Sequence, residues 1–246
     1  MYNEYIFRPL YNGLIGLMDV LPWADVGVAV ILFTAIIKVA LYPLSKSALL
    51  TQIRMKEVEP EAAKIRVQYA NDKQAQALKV MELYKAKGIK PFSGVLLLFI
   101  QLPILLAIIS VFYKIIPEIQ TGLLYGFIHA PVVNTMFLGL IDLTKPNIYL
   151  AIATGIIQFL QLKYSLASRT AAKTPGTDQP ASAAIANSMN AQMKYLVPIL
   201  AFASIYWIIP ARFPQASSMI ALYWMTSSFM TFLQELMIRR KYLGKK

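Results

Sequence analysis

The sequence predicts an all-α integral membrane protein, a five-transmembrane-helix bundle with a cytoplasmic helical hairpin and an N-terminal interfacial helix. Three observations carry that expectation. Of 246 residues, 57% are hydrophobic and 15% charged, with a mean hydropathy of +0.54, outside the range of soluble globular domains. Five apolar stretches approach the ~20 residues a helix needs to cross hydrocarbon, at about 25–44, 93–115, 147–165, 194–209 and 217–235. The net charge of +12 falls in segments that five crossings would place on one side.

Segment 46–90 holds ten basic residues, 163–194 four and 239–246 five, together nineteen of the twenty-four. The other side would hold Arg8, Lys114, Lys145 and Arg212, with Lys38 inside a span. Cytoplasmic loops carry the excess of lysine and arginine, so the N-terminus is expected outside and the C-terminus in the cytoplasm. The basic charge then encodes topology, with some lipid or ribosome contact, and not a DNA-binding face. Residues 121–141, "TGLLYGFIHAPVVNTMFLGLI", are apolar enough to be a sixth span. A sixth crossing would move the basic 163–194 segment and the tail outside, so this stretch is expected as an outer-surface or re-entrant segment, broken by Pro131 and partly interfacial.

Residues 1–24 form the first element. Ile6, Leu10, Leu14, Leu17 and Leu21 recur at helical spacing, which predicts a helix lying on the outer face. Arg8, Asn12 and Asp19 interrupt the apolar core that a signal peptide needs, leaving a retained signal anchor as the alternative. There is no cysteine, hence no disulfide, thiolate metal site, cysteine nucleophile or lipoprotein cysteine.

The polar stretch 46–92 shows two amphipathic stripes, Val58, Ala62, Ile65 and Tyr69, then Ala77, Val80, Met81 and Tyr84. Between them Asn71 is a helix stop and Asp72 an N-cap, and Gly88 with Pro91 closes the second helix. With no strong breaker between Pro43 and Pro60, the first helix of this hairpin is expected to continue from the first span. The connection 169–190, containing "KTPGTDQPASAA", is expected to be mobile. No internal repeat or glycine-rich phosphate loop stands out.

Polar residues inside the spans carry the functional expectation. An ionised lysine at a helix centre costs roughly 2.5–3.5 kcal/mol on insertion scales, so Lys38 needs an exit or a partner. Snorkelling would supply the exit. The neighbouring spans favour the partner. Thr34, Lys38, Tyr42 and Ser45 share one face of the first span; Thr154, Gln158, Gln161 and Ser165 share one face of the third; Tyr223, Ser227, Thr231 and Gln234 share one face of the fifth; and the second contributes Gln101. Lys38, Gln101, Gln158 and Ser227 count to a similar level in the cytoplasmic half. Interhelical hydrogen bonding is the plain explanation of each stripe, whereas their common depth points to a wet cavity open to the cytoplasm and closed outside.

At these residues the chain resembles the YidC/Oxa/Alb family of membrane protein insertases, from about residue 5 to 240. "ILFTAIIKVALYPLSKS" resembles the family's first core span, with a threonine four residues before an intramembrane cation. "EVEPEAAKIRVQYANDKQAQALKVMELYKAKGIKPFSG" resembles its cytoplasmic hairpin, "IQLPILLAI" the next span, "LGLIDLTKPN" the outer loop before the third, and "FPQASSMIALYWMTSSFMTFLQE" the last span. The resemblance implies a bundle in a bacterial cell membrane enclosing a hydrophilic groove, open to cytoplasm and lipid and sealed outside, that inserts nascent membrane proteins. It implies Lys38 as the groove cation with Thr34 one turn away, and Tyr223 and Trp224 on the span along which a substrate helix slides. Gln101, Gln158, Gln161, Ser227 and Thr231 complete the expected lining. Partners implied are nascent membrane proteins, the lipid bilayer, the ribosome, a Sec translocon and signal-recognition targeting machinery; a monomer is compatible with all of this, and no cofactor is expected. Three features depart from the family pattern. The cation is lysine where arginine is usual, so a general positive potential is expected in place of bidentate carboxylate pairing. The "FP" turn lacks the usual glycine, and the tail after Glu235 is short for an independent ribosome anchor.

Two other classes compete. A small-anion transporter or channel would also use an intramembrane cation, but no inverted repeat or broken-helix pair is visible. A membrane enzyme lacks its parts: His129 is the only histidine, lies away from the polar stripes and is expected at the surface, and the acidic residues avoid the spans.

Overall fold

The computed structural model describes residues 2–115, 118–170, 192–193 and 195–243. The expected mobile connection 169–190 lies almost wholly outside the described residues, as do Lys173, Lys194, Lys245 and Lys246. The chain divides into two compact units. One comprises Met1–Ala40 with Leu102–Leu233, the other Leu41–Gln101 with Gln234–Lys246.

In the first unit, a π-helical stretch Asn3–Phe7 runs into α1, Arg8–Val20. Its buried side chains are Phe7, Tyr11, Leu14, Ile15 and Met18, a stripe rotated from the expected Ile6, Leu10, Leu14, Leu17 and Leu21. Leu10 and Leu17 pack only at its margin. The buried stripe belongs to the same apolar core as α2, Val26–Ala40, so α1 packs on protein along this face. Asp25 caps α2 by accepting from the Val28 amide at 3.0 Å, which satisfies one of the orphan donors of the first turn.

The polar residues of α1 fasten a distant segment. Asn12 Nδ2 donates to the Leu123 carbonyl at 2.9 Å, and Asn12 Oδ1 accepts from the Tyr125 amide at 2.7 Å. Arg8 Nε donates to the same Leu123 carbonyl at 3.2 Å. The Tyr11 hydroxyl accepts from the Gln120 amide at 2.8 Å, and Asp19 from the His129 amide at 3.1 Å. The fastened stretch contains a single 3₁₀ turn, Thr121–Leu123, followed by irregular chain and a two-stranded hairpin, β1 Met136–Phe137 and β2 Ile141–Asp142. Helices and closed barrels are the forms that satisfy their backbone across hydrocarbon, and 121–141 forms neither.

Four long helices contribute the rest of this unit. α6, Ser93–Ile115, enters it at Leu102, beside Pro103, whose missing N–H removes a ladder bond. α7, Ile148–Thr170, is capped by Asn147, which accepts from the Tyr149 and Leu150 amides at 2.9 and 3.1 Å. α8, Tyr195–Arg212, packs on α7 at Gly155, where a Cβ would stand in ordinary contact, 3.6 Å from the Pro198 carbonyl oxygen. α9, Ser217–Leu243, follows the "FP" turn. Among the described residues φ is positive only at Gly88, Leu138 and Gly139. The turn at Pro214 therefore needs no glycine, and Ser217 Oγ closes it by donating to the Pro214 carbonyl at 3.1 Å.

In the second unit, α3, Tyr42–Glu57, begins after a break at Leu41, with Pro43 in its first turn. The expected continuation of the first span into the hairpin's first helix is therefore not observed, and α3 runs only from Tyr42 to Glu57. It stops at Val58, and Pro60 lies in the first turn of α4, Glu59–Gln68. Asp72 caps α5, Lys73–Ala86, by accepting from the Gln74 and Ala75 amides at 3.0 and 2.9 Å. Gly88 (φ +64°) ends α5: its amide bonds the Lys85 carbonyl at 3.0 Å and the Ile89 amide the Tyr84 carbonyl at 2.8 Å, a Schellman closure. Ile89, Tyr84 and Val58 form the small core of this unit. Ala77, expected on the apolar stripe, is exposed.

Candidate functional site

Three helices of the first unit meet through polar side chains. Lys38 Nζ on α2 donates to Thr231 Oγ1 on α9 at 3.1 Å. Thr231 spends its own proton on the Ser227 carbonyl at 2.8 Å, so a lone pair is what it presents to the ammonium. From α7, Gln158 Oε1 accepts from Ser228 Oγ at 2.7 Å and Trp224 Nε1 at 3.3 Å. Trp224, Ser228 and Thr231 stand at i, i+4 and i+7, one face of α9 about 10 Å long at 1.5 Å per residue. Nearer the start of α7, the fully buried Thr154 donates to Leu150 at 2.7 Å and reaches the Ala221 carbonyl at 3.3 Å.

α9 therefore makes two polar contacts, Thr231 with Lys38 of α2, and Trp224 and Ser228 with Gln158 of α7. The expected face of α9, through Tyr223 and Ser227, is rotated by one residue. Tyr223 is buried, its ring 6.3 Å from that of Phe112, within the apolar core. Ser227 is half-buried and supplies its carbonyl. Thr34 is buried and donates to Val30 on its own helix at 2.6 Å. Gln161 is half-buried on α7, and Gln101 is the half-buried last residue of the second unit's first segment. Ser228, absent from the expected set, is the closest partner of Gln158. The pairs Tyr223–Trp224 and Ser227–Ser228 give two equally regular stripes, between which helical spacing alone does not choose.

Outside this polar contact the helices turn apolar side chains outward. Ile36 and Val39 on α2, Ile156 on α7, and Ile199 and Ile208 on α8 are all more than half exposed. Apolar exteriors around a polar interior contact are the pattern of a bundle solvated by lipid. Among the described residues no group of three or more His, Cys, Asp or Glu side chains is placed to hold a metal ion.

These features define a mostly helical membrane protein with buried or half-buried, hydrogen-bonded polar side chains between its helices. Residues 18–245 match the family described as 60Kd inner membrane protein. The chain belongs to that family, the YidC/Oxa/Alb family its sequence resembles. It is 30% identical over 218 residues to "Membrane protein insertase YidC" of Fusobacterium nucleatum subsp. nucleatum, covering 87% of this chain and 86% of that one. Proteins of the same name from Francisella philomiragia subsp. philomiragia and Francisella tularensis subsp. novicida are 29% and 28% identical over 216 residues. Those alignments cover 88% of this chain and 33% of each relative, so the chain spans about a third of their length.

Proposed function

We propose that this chain is a membrane protein insertase that works without nucleotide hydrolysis. In this proposal α2, α6, α7, α8 and α9 are five membrane spans, with the N-terminus outside and the C-terminus in the cytoplasm. The polar face shared by α2, α7 and α9 lines a groove open to the cytoplasm and to lipid. A polar segment of a nascent membrane protein must cross hydrocarbon, and water with a positive charge in the inner half of the bilayer shortens the dry path. Lys38 attracts acidic residues of the arriving tail, and the substrate's apolar helix then leaves sideways into lipid, where burial of its apolar surface drives the process. The α4–α5 hairpin receives substrate or contacts the ribosome, the targeting machinery or a Sec-type channel.

The single observation that carries this proposal is the ammonium of Lys38, held by the Thr231 hydroxyl at 3.1 Å on a helix whose neighbouring residues Ile36 and Val39 are exposed and apolar. Membrane-embedded ionisable groups of this kind mark substrate paths. Lys38→Ala should slow insertion of substrates with short acidic tails, measured by protease protection in proteoliposomes. Wild-type rates in that variant would refute the electrostatic role.

A further inference from the structure

The hairpin at 136–142 has features that the polar site does not use. β1 and β2 pair antiparallel through Met136 with Asp142 and Phe137 with Ile141, and the chain reverses at Leu138 (φ +51°) and Gly139 (φ +70°). Left-handed backbone suits glycine or asparagine, and a leucine there is strained. The base of the hairpin is held firmly. Asp25, while capping α2, accepts from the Leu138 amide through its second oxygen at 2.9 Å. The Val26 amide donates to the Asn134 carbonyl at 2.9 Å. Phe137 lies so close on α2 that a Cβ at Gly27 would stand 2.3 Å from its ring. The two leucines of the tip are nonetheless exposed, Leu138 64% and Leu140 82%.

In water, leucine would be a poor choice at this tip for the backbone and for the side chain alike. Against hydrocarbon the side-chain preference reverses. Three consecutive amides of the tip are also paired within the protein: Leu138 to Asp25, Gly139 to the Met136 carbonyl at 3.2 Å, and Leu140 to the Phe137 carbonyl at 3.0 Å. Irregular backbone needs that pairing where water is absent. Trp23, two residues before Asp25, is 74% exposed. Lys145, set back from the tip, bridges Asp142 at 3.0 Å. An apolar tip, an exposed indole and a lysine paired to Asp142 have the composition of an interfacial anchor.

We infer that this hairpin is a lipid anchor, with Leu138 and Leu140 immersed at the boundary of headgroups and acyl chains in the outer leaflet, holding the outer end of α2 at a fixed depth. The inference rests on the outside-to-inside course of α2 proposed above. Because the chain has no cysteine, Leu140→Cys can be labelled singly with a nitrobenzoxadiazole fluorophore and reconstituted into vesicles of phosphatidylethanolamine and phosphatidylglycerol. The expected result is blue-shifted emission, quenched by nitroxides on the acyl chains and protected from aqueous iodide. Emission typical of water with free iodide quenching would overturn the inference, as would shielding from both quenchers, which would indicate a protein partner. Adding Leu138→Asn, which suits the observed φ and so preserves the turn, should raise iodide quenching severalfold; unchanged quenching would overturn the role of Leu138. None of these readouts requires insertion of a substrate, so their failure is separable from failure of the insertase proposal.

Discussion

Replacing Asn12 by alanine should release the segment that α1 holds. Asn12 is 2% exposed and its side chain makes three hydrogen bonds: Nδ2 to the Arg8 and Leu123 carbonyls, each at 2.9 Å, and Oδ1 from the Tyr125 amide at 2.7 Å. After truncation the Leu123 carbonyl keeps the Arg8 guanidinium at 3.2 Å, whereas the Tyr125 amide loses its acceptor. A buried donor left unpaired costs about 1–3 kcal/mol. Because the Tyr125 contact is only partly buried, about 2 kcal/mol is the expected total, a rise of roughly 30-fold in the opened population at 1.4 kcal/mol per tenfold. Hydrogen exchange at the Tyr125 amide reads that population directly. Asn12→Asp keeps the acceptor and should fall between wild type and alanine. Arg8→Ala, removing a side chain that is 33% exposed, should raise exchange about fivefold at most, since its contribution is of order 1 kcal/mol or less. Exchange at Tyr125 within twofold of wild type in Asn12→Ala, or faster in Arg8→Ala than in Asn12→Ala, would refute the fastening role.

Gln158→Leu removes the shared acceptor of Ser228 and Trp224 and should cost about 1–3 kcal/mol, seen as a lower unfolding midpoint in detergent. Asp72→Ala removes an N-cap with two backbone bonds and should lower the stability of α5 by about 1 kcal/mol, measured by amide exchange over 74–80. The Thr144 hydroxyl, ahead of Lys145, holds the Asp142 carboxyl below the usual carboxylate range. A carboxyl whose folded value is depressed stabilises fully above its unfolded value, about pH 4, and loses that contribution as pH falls through the folded value. The hairpin should therefore hold above pH 4 and loosen below it. Thr144→Val should move that loosening to higher pH, followed by exchange of the Leu143 amide, which bonds Thr135 at 3.0 Å.

Helix positions were largely legible because long apolar runs leave little choice. The stretch expected at 93–115 is Ser93–Ile115, and Asp72 and Gly88 act at the positions their chemistry suggests. Local signals stop where partners are remote. Arg8, Asn12 and Asp19 looked like interruptions of an apolar run, yet each bonds a residue more than a hundred positions away, which no local pattern encodes. The buried stripe of α1 was obscured by abundance: apolar residues cover more than one face, and contact with α2 selects Phe7, Tyr11, Ile15 and Met18. The hairpin was hidden because the first of its two left-handed residues is Leu138, followed by Gly139, where a stronger turn signal would be asparagine before the glycine.

The two polar links on α9 have different energetic standing. Gln158 gives one carbonyl oxygen to two donors from α9, uncharged bonds that in lipid hold helices together at modest cost. Its replacement should therefore weaken the fold first. Lys38 differs. A hydrogen bond from a charged group returns about 1.5–3 kcal/mol, while placing an ammonium at membrane depth costs about 2.5–3.5 kcal/mol. The Thr231 bond by itself thus offsets that cost at best. What lysine adds is a positive potential and donors in a setting where charge is screened less than in water. On this balance Gln158, Trp224 and Ser228 are the frame that sets α7 against α9, and in the proposed insertase Lys38 is the group that adds charge.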